Sequence, residues 1–505
     1  MGKRGISMGS ISNPETVYKR LPPLWMGLKA LRSLREIIFF SIFLSVISTT
    51  RFSPFPFDNV KWIIAAYSIY KAISIVLEWK HFGYFFDNEG LHIKSGRFIK
   101  IDRHIPFQRI QGINEYTPFF HRLLGLTILL LDVGANDNKS SVKLDMLTHE
   151  SSKEIKHNLI KYGSILKDNP DAEEQEMSTL KHPLRKTIYQ ISNKEIIIGS
   201  VTSLKLVLFF TLLYSFYGNV ERLFSVQLNV EQVVSFFTSS WWLMSLGILS
   251  LLIISTGYGV LKTYLKYGDF SVATDQNRIF ISKGRVNKTD FSIPKHKIQA
   301  VSIKYSLLNK LTGLVKVRII STNDSDNQEV QTSNVLFPFI NEKKARSLIE
   351  EMLPEFRLHE VMTTVPKKSI IPKLIRTSYL WLAAIAIVYF YLPSFWYVAF
   401  VLVSYILISQ IRSGLFSGYS FEGDSIQLKK CRLSSTVIIT SRSRLEELRF
   451  SQTLMQRIFN LSSFAVVSRS NPAKTTRMLD VPFKVSIELY TMYKADAIRK
   501  GKLTA

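Results

Sequence analysis

Residues Ile105–Leu126 read IPFQRIQGINEYTPFFHRLLGL, and the stretch returns 188 residues later, at Ile293–Leu314, as IPKHKIQAVSIKYSLLNKLTGL without a gap. A third copy stands at an offset of 335, where RLEELRFSQTLMQRIFNLSSF from Arg444 lies under RIQGINEYTPFFHRLLGLTIL from Arg109. This copy is degenerate: Thr440 takes the place of Ile105, and nothing matches the Ile105-Pro106 and Ile293-Pro294 pairs. A stretch used three times is first a folding unit, and any contact it makes must be sought in what the copies keep.

The shared pattern predicts a strand, a helical turn and a second strand. Ile110, Ile298 and Leu445 precede Ile113, Val301 and Leu448, an apolar spacing that buries one face of a strand with a bulge in it. Pro118, Ser306 and Thr453 suit helix entry; Phe119, Leu307 and Leu454 then share an apolar face with Leu123, Leu311 and Ile458, four positions on. Gly125, Gly313 and Asn460 close the turn, being the residue types that accept the left-handed conformation. The strands LTILLLDV, LVKVRII and LSSFAVV follow. Two basic positions also recur, Arg109/Lys297/Arg444 and Arg122/Lys310/Arg457, and these six residues are the candidate contacts for a lipid headgroup or a partner.

Strand-like segments precede each copy, and a helical pattern closes each: Glu150 to Tyr162, Glu342 to Met352 and Ser486 to Ala497. Several strands and one terminal helix predict a small antiparallel sandwich or barrel capped by a helix. Cys431, the single cysteine, aligns with Gly96 and Gly284 at a turn, which makes it incidental to chemistry and excludes an intrachain disulfide or a Cys-rich metal site.

Outward from the repeats the chain turns apolar. A mean hydropathy of +0.10 beside 21% charged residues requires the two populations to be segregated. Six windows approach the roughly 20 residues that cross a bilayer: Leu34–Thr50, Val60–Glu78, Ile196–Tyr217, Phe236–Leu261, Ser378–Tyr391 and Phe395–Gln410. They predict an α+β membrane protein with six transmembrane helices in three hairpins, each followed by one of the repeated domains. The organisation reads as an N-terminal segment 1–33, hairpin 34–79, domain 80–165, linker 166–195, hairpin 196–261, domain 262–357, basic linker 358–377, hairpin 378–411 and a degenerate third domain 412–505. No cleavable signal peptide precedes the first span, which serves as its own insertion signal.

The formal charge of +26 admits two kinds of anionic partner, nucleic acid and the cytoplasmic leaflet. Its placement selects the second. Lys19, Arg20, Lys29, Arg32 and Arg35 flank the first hairpin, Lys367, Lys368, Lys373 and Arg376 the third, and the hairpin loops have almost none. By the positive-inside rule the domains and both termini are expected on the cytoplasmic side, with each basic residue near the anionic leaflet worth about 1 kcal/mol. Lys71 and Lys205 fall part-way along spans, where snorkelling accounts for them, since no acidic residue lies well inside any window.

Paired spans followed by a domain carrying IPFQRIQGI or IPKHKIQAV and an LxGL closure resemble the bacterial membrane proteins with pleckstrin-homology-like domains, specifically the three-repeat, YdbT-like members. The resemblance implies a seven-stranded, partly open barrel closed by its terminal helix. It also implies pairing with a smaller PH-like membrane protein or self-association, contact with membrane lipids, and a role in envelope defence or membrane organisation. In such folds the first strand loop contacts headgroups, which here offers Lys94 and Arg97, Lys283 and Arg285, or Lys429, Lys430 and Arg432.

Other functions are less well supported by the residues. An enzyme lacks any HExxH, GxSxG or phosphate-cradling motif, and His104, His121 and His296 read as surface or turn histidines, so neither catalysis nor a cofactor is expected. A transporter or export component is the alternative, but the hairpins do not resemble one another as the domains do. Nucleic-acid binding lacks a basic stripe interleaved with aromatics.

Overall fold

The computed structural model describes residues 18–48, 57–165, 186–201, 241–391 and 396–499, apart from 88, 98, 134–140, 307, 308, 311, 323–333 and 471–473. The chain forms two compact units, Met1–Pro183 and Leu184–Ala505.

In the first unit, helices α1 (Leu24–Ser48) and α2 (Phe57–His81) pack together and lead into strands β1 (Gly83–Phe86), β2 (Gly90–Ser95) and β3 (Ile101–Pro106), paired antiparallel in that order. A second ladder follows, β4 (Ile110–Thr117), the turn helix α3 (Phe119–Leu123), β5 (Leu126–Val133) and β6 (Ser141–Thr148), before the closing helix α4 (His149–Ile165). Leu91, Ile93 and Ile105 from the first sheet meet Leu129, Leu131 and Leu144 from the second, and Ile155 and Leu159 of α4 complete the core. Lys19 pairs with Tyr84, so the sheet begins on chain that precedes the helical hairpin.

The second unit contains the other two repeats. Strand β7 (Lys186–Gln190) and helix α5 (Asn193–Val201) precede α6 (Trp241–Tyr267), after which come β8 (Ser271–Thr274), β9 (Arg278–Lys283) and β10 (Lys288–Pro294). Then follow β11 (Ile298–Tyr305), β12 (Leu314–Ser321), β13 (Val335–Asn341) and α7 (Glu342–Met352). The third repeat opens with β14 (Thr363–Thr364), α8 (Ile370–Tyr391) and α9 (Trp396–Phe416). It continues through β15 (Gly418–Glu422), β16 (Ser425–Cys431), β17 (Ser435–Ser441), β18 (Leu445–Ser451), α10 (Leu454–Ile458), β19 (Leu461–Ser468), β20 (Lys474–Pro482) and α11 (Phe483–Arg499). As in the first unit, short strands before the hairpins, β7 and β14, pair with β8 and β15 after them. Residues assigned from the sequence to linkers therefore carry the edge strands of the next domain.

The second and third repeats are not separate beads. β11 pairs with β17 from Ala300↔Thr440 to Tyr305↔Ser435, which makes one seven-stranded sheet in the order β13-β12-β11-β17-β16-β15-β14. Val437 and Ile439 of the third repeat lie in the core of the second.

The signature residues explain themselves locally. Ile105 and Ile293 are buried strand ends, and Pro106 and Pro294 then start a 3-10 turn whose last residue is Arg109 or Lys297. The degenerate copy makes the same turn by capping: the Ser441 hydroxyl accepts from Ser443 N at 3.3 Å. A bulge follows at the same place in all three copies, between Ile110 and Gly112, Ile298 and Ala300, and Leu445 and Glu447. Gly125, Gly313 and Asn460 close the turn at φ 67°, 67° and 55°, the left-handed conformation expected of them.

Cys431 departs from its glycine counterparts. Gly96 and Gly284 have φ 139° and 95°, and a Cβ on either would strike a backbone carbonyl. Cys431 instead ends β16, buried, paired with Ser435, so its hairpin zips one pair further.

Among the described residues two helices are long and apolar enough to cross a membrane, Lys61–His81 and Ala399–Phe416, and a third if the bent pair Lys367–Tyr379 and Trp381–Phe390 is one span. The expectation of six spans is met to that extent. α1 and α6 are helical where two of the others were placed, whereas most of the window Ile196–Tyr217, including Lys205, lies outside the described residues. Lys71 bonds Glu36 of α1 at 2.7 Å, so this cation within a candidate span has an acidic partner after all, drawn from the edge of the neighbouring window.

Candidate functional site

The two recurring basic positions have different fates. Arg109 is exposed, but Lys297 and Arg444 turn inward. Arg444 donates to the carbonyls of His296, at 3.1 Å, and of Ile298, pairs with Glu355 and lies over the Phe356 ring, so it fastens the third repeat to the second. Thr440, the residue in place of Ile105, adds a bond from its hydroxyl to the Gln299 carbonyl at 2.8 Å. Arg122, Lys310 and Arg457, by contrast, are exposed in all three copies.

The loop cations expected to meet headgroups are mostly engaged with the protein. Arg97 pairs with Glu78 at 2.6 Å and its counterpart Arg285 with Asp269 at 3.1 Å, tying the β2–β3 and β9–β10 loops to the ends of α2 and α6. In the third repeat Arg412 of α9 donates to the Arg432 carbonyl at 3.2 Å. Lys94 lies over Tyr18, and Lys283 is buried, its ammonium drawn down to about 7 by burial and by Lys266 and Lys316 nearby. Burial likewise lowers Lys430, with Arg432 and Arg477 adding to it.

In the first and third repeats the turn helix sets an exposed arginine, Arg122 or Arg457, beside an apolar tip. The expected face of Phe119 and Leu123, or Leu454 and Ile458, does not enter the core. Phe120 is 62% exposed, Leu123 74%, Leu454 80% and Ile458 72%, each set beside Arg122 or Arg457. Leu307 and Leu311 of the second copy lie outside the described residues. What does enter the interior is the polar residue of the turn, His121, Asn309 or Gln456. His121 is thus no surface histidine. Both ring nitrogens are buried without a hydrogen-bond partner, and burial pulls the imidazole down to about 4, with Arg32 adding to the effect and Asp145 opposing it.

In the third copy the same position is fully bonded. Gln456 forms a capping box with Thr453 and donates to Ser463 Oγ and Asp480 Oδ1, both at 2.6 Å. Asp480 is wholly buried and receives Arg376 of α8 at 2.9 Å. Nearby Lys373 is buried as well, donating to the Ser413 carbonyl at 3.2 Å, so two of the basic residues before the third hairpin face the protein.

In the third repeat this chain of bonds ties the turn to the base of α8, and in the first Arg32 of α1 lies near His121. Arg32 precedes the window at Leu34 by two residues, and Arg376 precedes the window at Ser378 by two. At 1.5 Å per residue the Cα atoms of both arginines lie about 3 Å before the start of lipid-length helix. An apolar surface with an arginine at its rim, at that level, matches the chemistry of a bilayer interface.

Comparison with known proteins agrees with this architecture. A family model described as the bacterial PH domain matches residues 38–162, 222–355 and 379–501. The chain is similar to the UPF0699 transmembrane protein YdbT of Bacillus subtilis (strain 168), 22% identical over 427 residues, covering 82% of this chain and 84% of that protein. No solved structure matches.

Proposed function

Because the chain belongs to the bacterial PH domain family, we propose that it is a membrane-anchored binding scaffold, its three domains lying on the cytoplasmic face of the bacterial inner membrane. The turn helices of the first and third repeats dip their apolar tips into the lipid interface while Arg122 and Arg457, and Lys310 at the matching position of the second repeat, meet anionic headgroups. The observation that carries this reading is the exposed tip of Leu123 and of Ile458 beside Arg122 and Arg457, the tip of the third repeat being tied to the base of a span through the Arg376–Asp480 pair. The outer surfaces of the sheets are then free to bind a smaller PH-like membrane protein or another copy of the chain, in envelope defence or membrane organisation. The reading assigns no reaction, no cofactor and no nucleic acid.

Hydrogen exchange on the full chain in nanodiscs tests it. Amides of 119–124 and 454–458 are expected to gain protection when phosphatidylglycerol is added to phosphatidylcholine, and Arg122→Glu with Arg457→Glu should cancel the gain. Equal exchange in both lipids and in detergent overturns the reading.

A further inference from the structure

The first repeat carries a constellation that its sisters lack. Asp87, in the β1–β2 turn, and His92 and His104, on β2 and β3, bring one ligand atom each to within 4.8 Å of one another. The two histidines stand directly opposite in the β2–β3 register, their rings stacked with centroids 4.3 Å apart. Phe85 stacks on the other face of His92 at 4.4 Å, so that imidazole is fixed from both sides. Asp87 is held too. Its Oδ1 accepts from Glu89 N at 2.9 Å and Gly90 N at 2.6 Å, which leaves Oδ2 aimed at His92 Nε2, 2.6 Å away.

The turn alone does not require this set. Asp275 makes the same turn in the second repeat, accepting from Asn277 N at 2.8 Å and Arg278 N at 2.6 Å. Yet Phe280 and Ser292 occupy the histidine positions there, and Gln427 and Ile439 occupy them in the third repeat. The carboxylate is thus explained by the fold, and the two imidazoles are an addition to it. Gly90 makes room for them: a Cβ at that position would lie 2.8 Å from His104 Nε2, as well as against the Ile105 carbonyl, and the sister residues are Arg278 and Ser425.

We propose that Asp87, His92 and His104 form a binding site for a divalent transition-metal ion of the imidazole-preferring class, Zn2+ foremost. Two imidazoles and one carboxylate are a common donor set for such ions, with solvent completing the sphere. Bonds of roughly 2.0–2.1 Å in tetrahedral geometry require ligand atoms about 3.4 Å apart. To accept the ion the Asp87–His92 contact need open by less than an ångström, the widest separation in the set close by up to about 1.4 Å, and the exposed His104 ring turn toward the other two ligands. His104 is exposed and the side chains of His92 and Asp87 are 24% and 38% accessible, so the ion can enter from solvent. Bound there, it would tie the β1–β2 turn to β3 in the sheet that follows the first hairpin.

The test is metal titration of the untagged, chelator-stripped full chain in nanodiscs, using Zn2+ by calorimetry and Co2+ by its visible ligand-field bands. The wild type should bind one equivalent and gain thermal stability with Zn2+. His92→Gln and His104→Ser, which install residues found in the sister repeats, should each weaken binding by roughly tenfold or more. Asp87→Asn keeps the turn acceptor and should weaken binding less. Thermal unfolding without metal establishes that the variants fold; a variant that does not is replaced by diethylpyrocarbonate modification of the wild type, which Zn2+ should block at His92 and His104. Absence of saturable binding by the wild type, undiminished binding by both His92→Gln and His104→Ser, or modification at both histidines undiminished by Zn2+ overturns the proposal.

Discussion

The turn helices of the first and third repeats share a backbone plan and differ in how their interior is held. In the third, Gln456 sits in a closed network with Thr453, Ser463, Asp480 and Arg376. In the first, His121 is buried among Arg32, Lys143 and Asp145 without a hydrogen bond to either ring nitrogen. Both still present the same product, an apolar tip with an arginine beside it. The difference teaches that the interior residue is free to vary as long as the turn stays seated at the base of its span, which assigns the common purpose to the tip rather than to the polar residue beneath it.

The comparison breaks most visibly at the two arginines beside the turns. Arg376→Ala takes the ion-pair partner from the buried Asp480 carboxylate and leaves it the Gln456 amide, a loss of up to about 3–5 kcal/mol, whereas Arg32→Ala removes a like charge from the neighbourhood of His121 and should cost little. Thermal unfolding of the full chain in nanodiscs, read repeat by repeat through hydrogen exchange, separates the two; equal losses would mean that the arginines act alike and the networks are not distinct.

Acid sharpens the contrast. The folded first repeat holds His121 neutral with its pKa near 4 against an ordinary 6.5. Its contribution is therefore complete above pH 6.5 and is lost as pH falls toward 4, at up to about 1.4 kcal/mol per pH unit. His121→Gln, the residue of the third repeat, should remove that slope from 119–124 while the exchange of 454–458 stays as it was. An unchanged slope would show that the imidazole titrates normally.

The smallest effect is at the closing residues. Gly125→Ala places a Cβ at φ 67° with no neighbour within 4 Å to clash with, so its cost is backbone strain alone, about 1–2 kcal/mol. Asn460→Gly relieves the same conformation and should shift stability by less than about 0.5 kcal/mol. Chemical denaturation of the two variants checks the pair, and a costless alanine would contradict the left-handed assignment.

Much of the fold was legible in the repeated stretch because its punctuation is local chemistry. The left-handed closure at Gly125, Gly313 and Asn460, the bulge after Arg109, Lys297 and Arg444, and the closing helices all follow from residue types at fixed spacing. The tip was less legible. Phe119, Leu123, Leu454 and Ile458 have the same spacing whether a five-residue helix faces a core or a membrane, and only the burial of His121 and Gln456 on the opposite side decides between them. The inward role of Arg444 depends on β11 meeting β17, a contact between repeats that no local pattern records. Edge strands as short as Thr363–Thr364 carry no periodicity to read. The His92–His104 pairing did leave a trace: the two positions are equidistant from residue 98 in a hairpin, which sets them opposite one another.

The central claim, that the turn tips lie in the lipid interface, is tested most directly by spin labels at positions 123 and 458 of the full chain in nanodiscs. Cys431 is replaced by Ser, and Lys153 on α4 carries the aqueous control. Collision rates with oxygen should exceed those with a water-soluble nickel chelate at both tips and fall below them at the control. Tips as accessible to the nickel chelate as Lys153 would contradict the account.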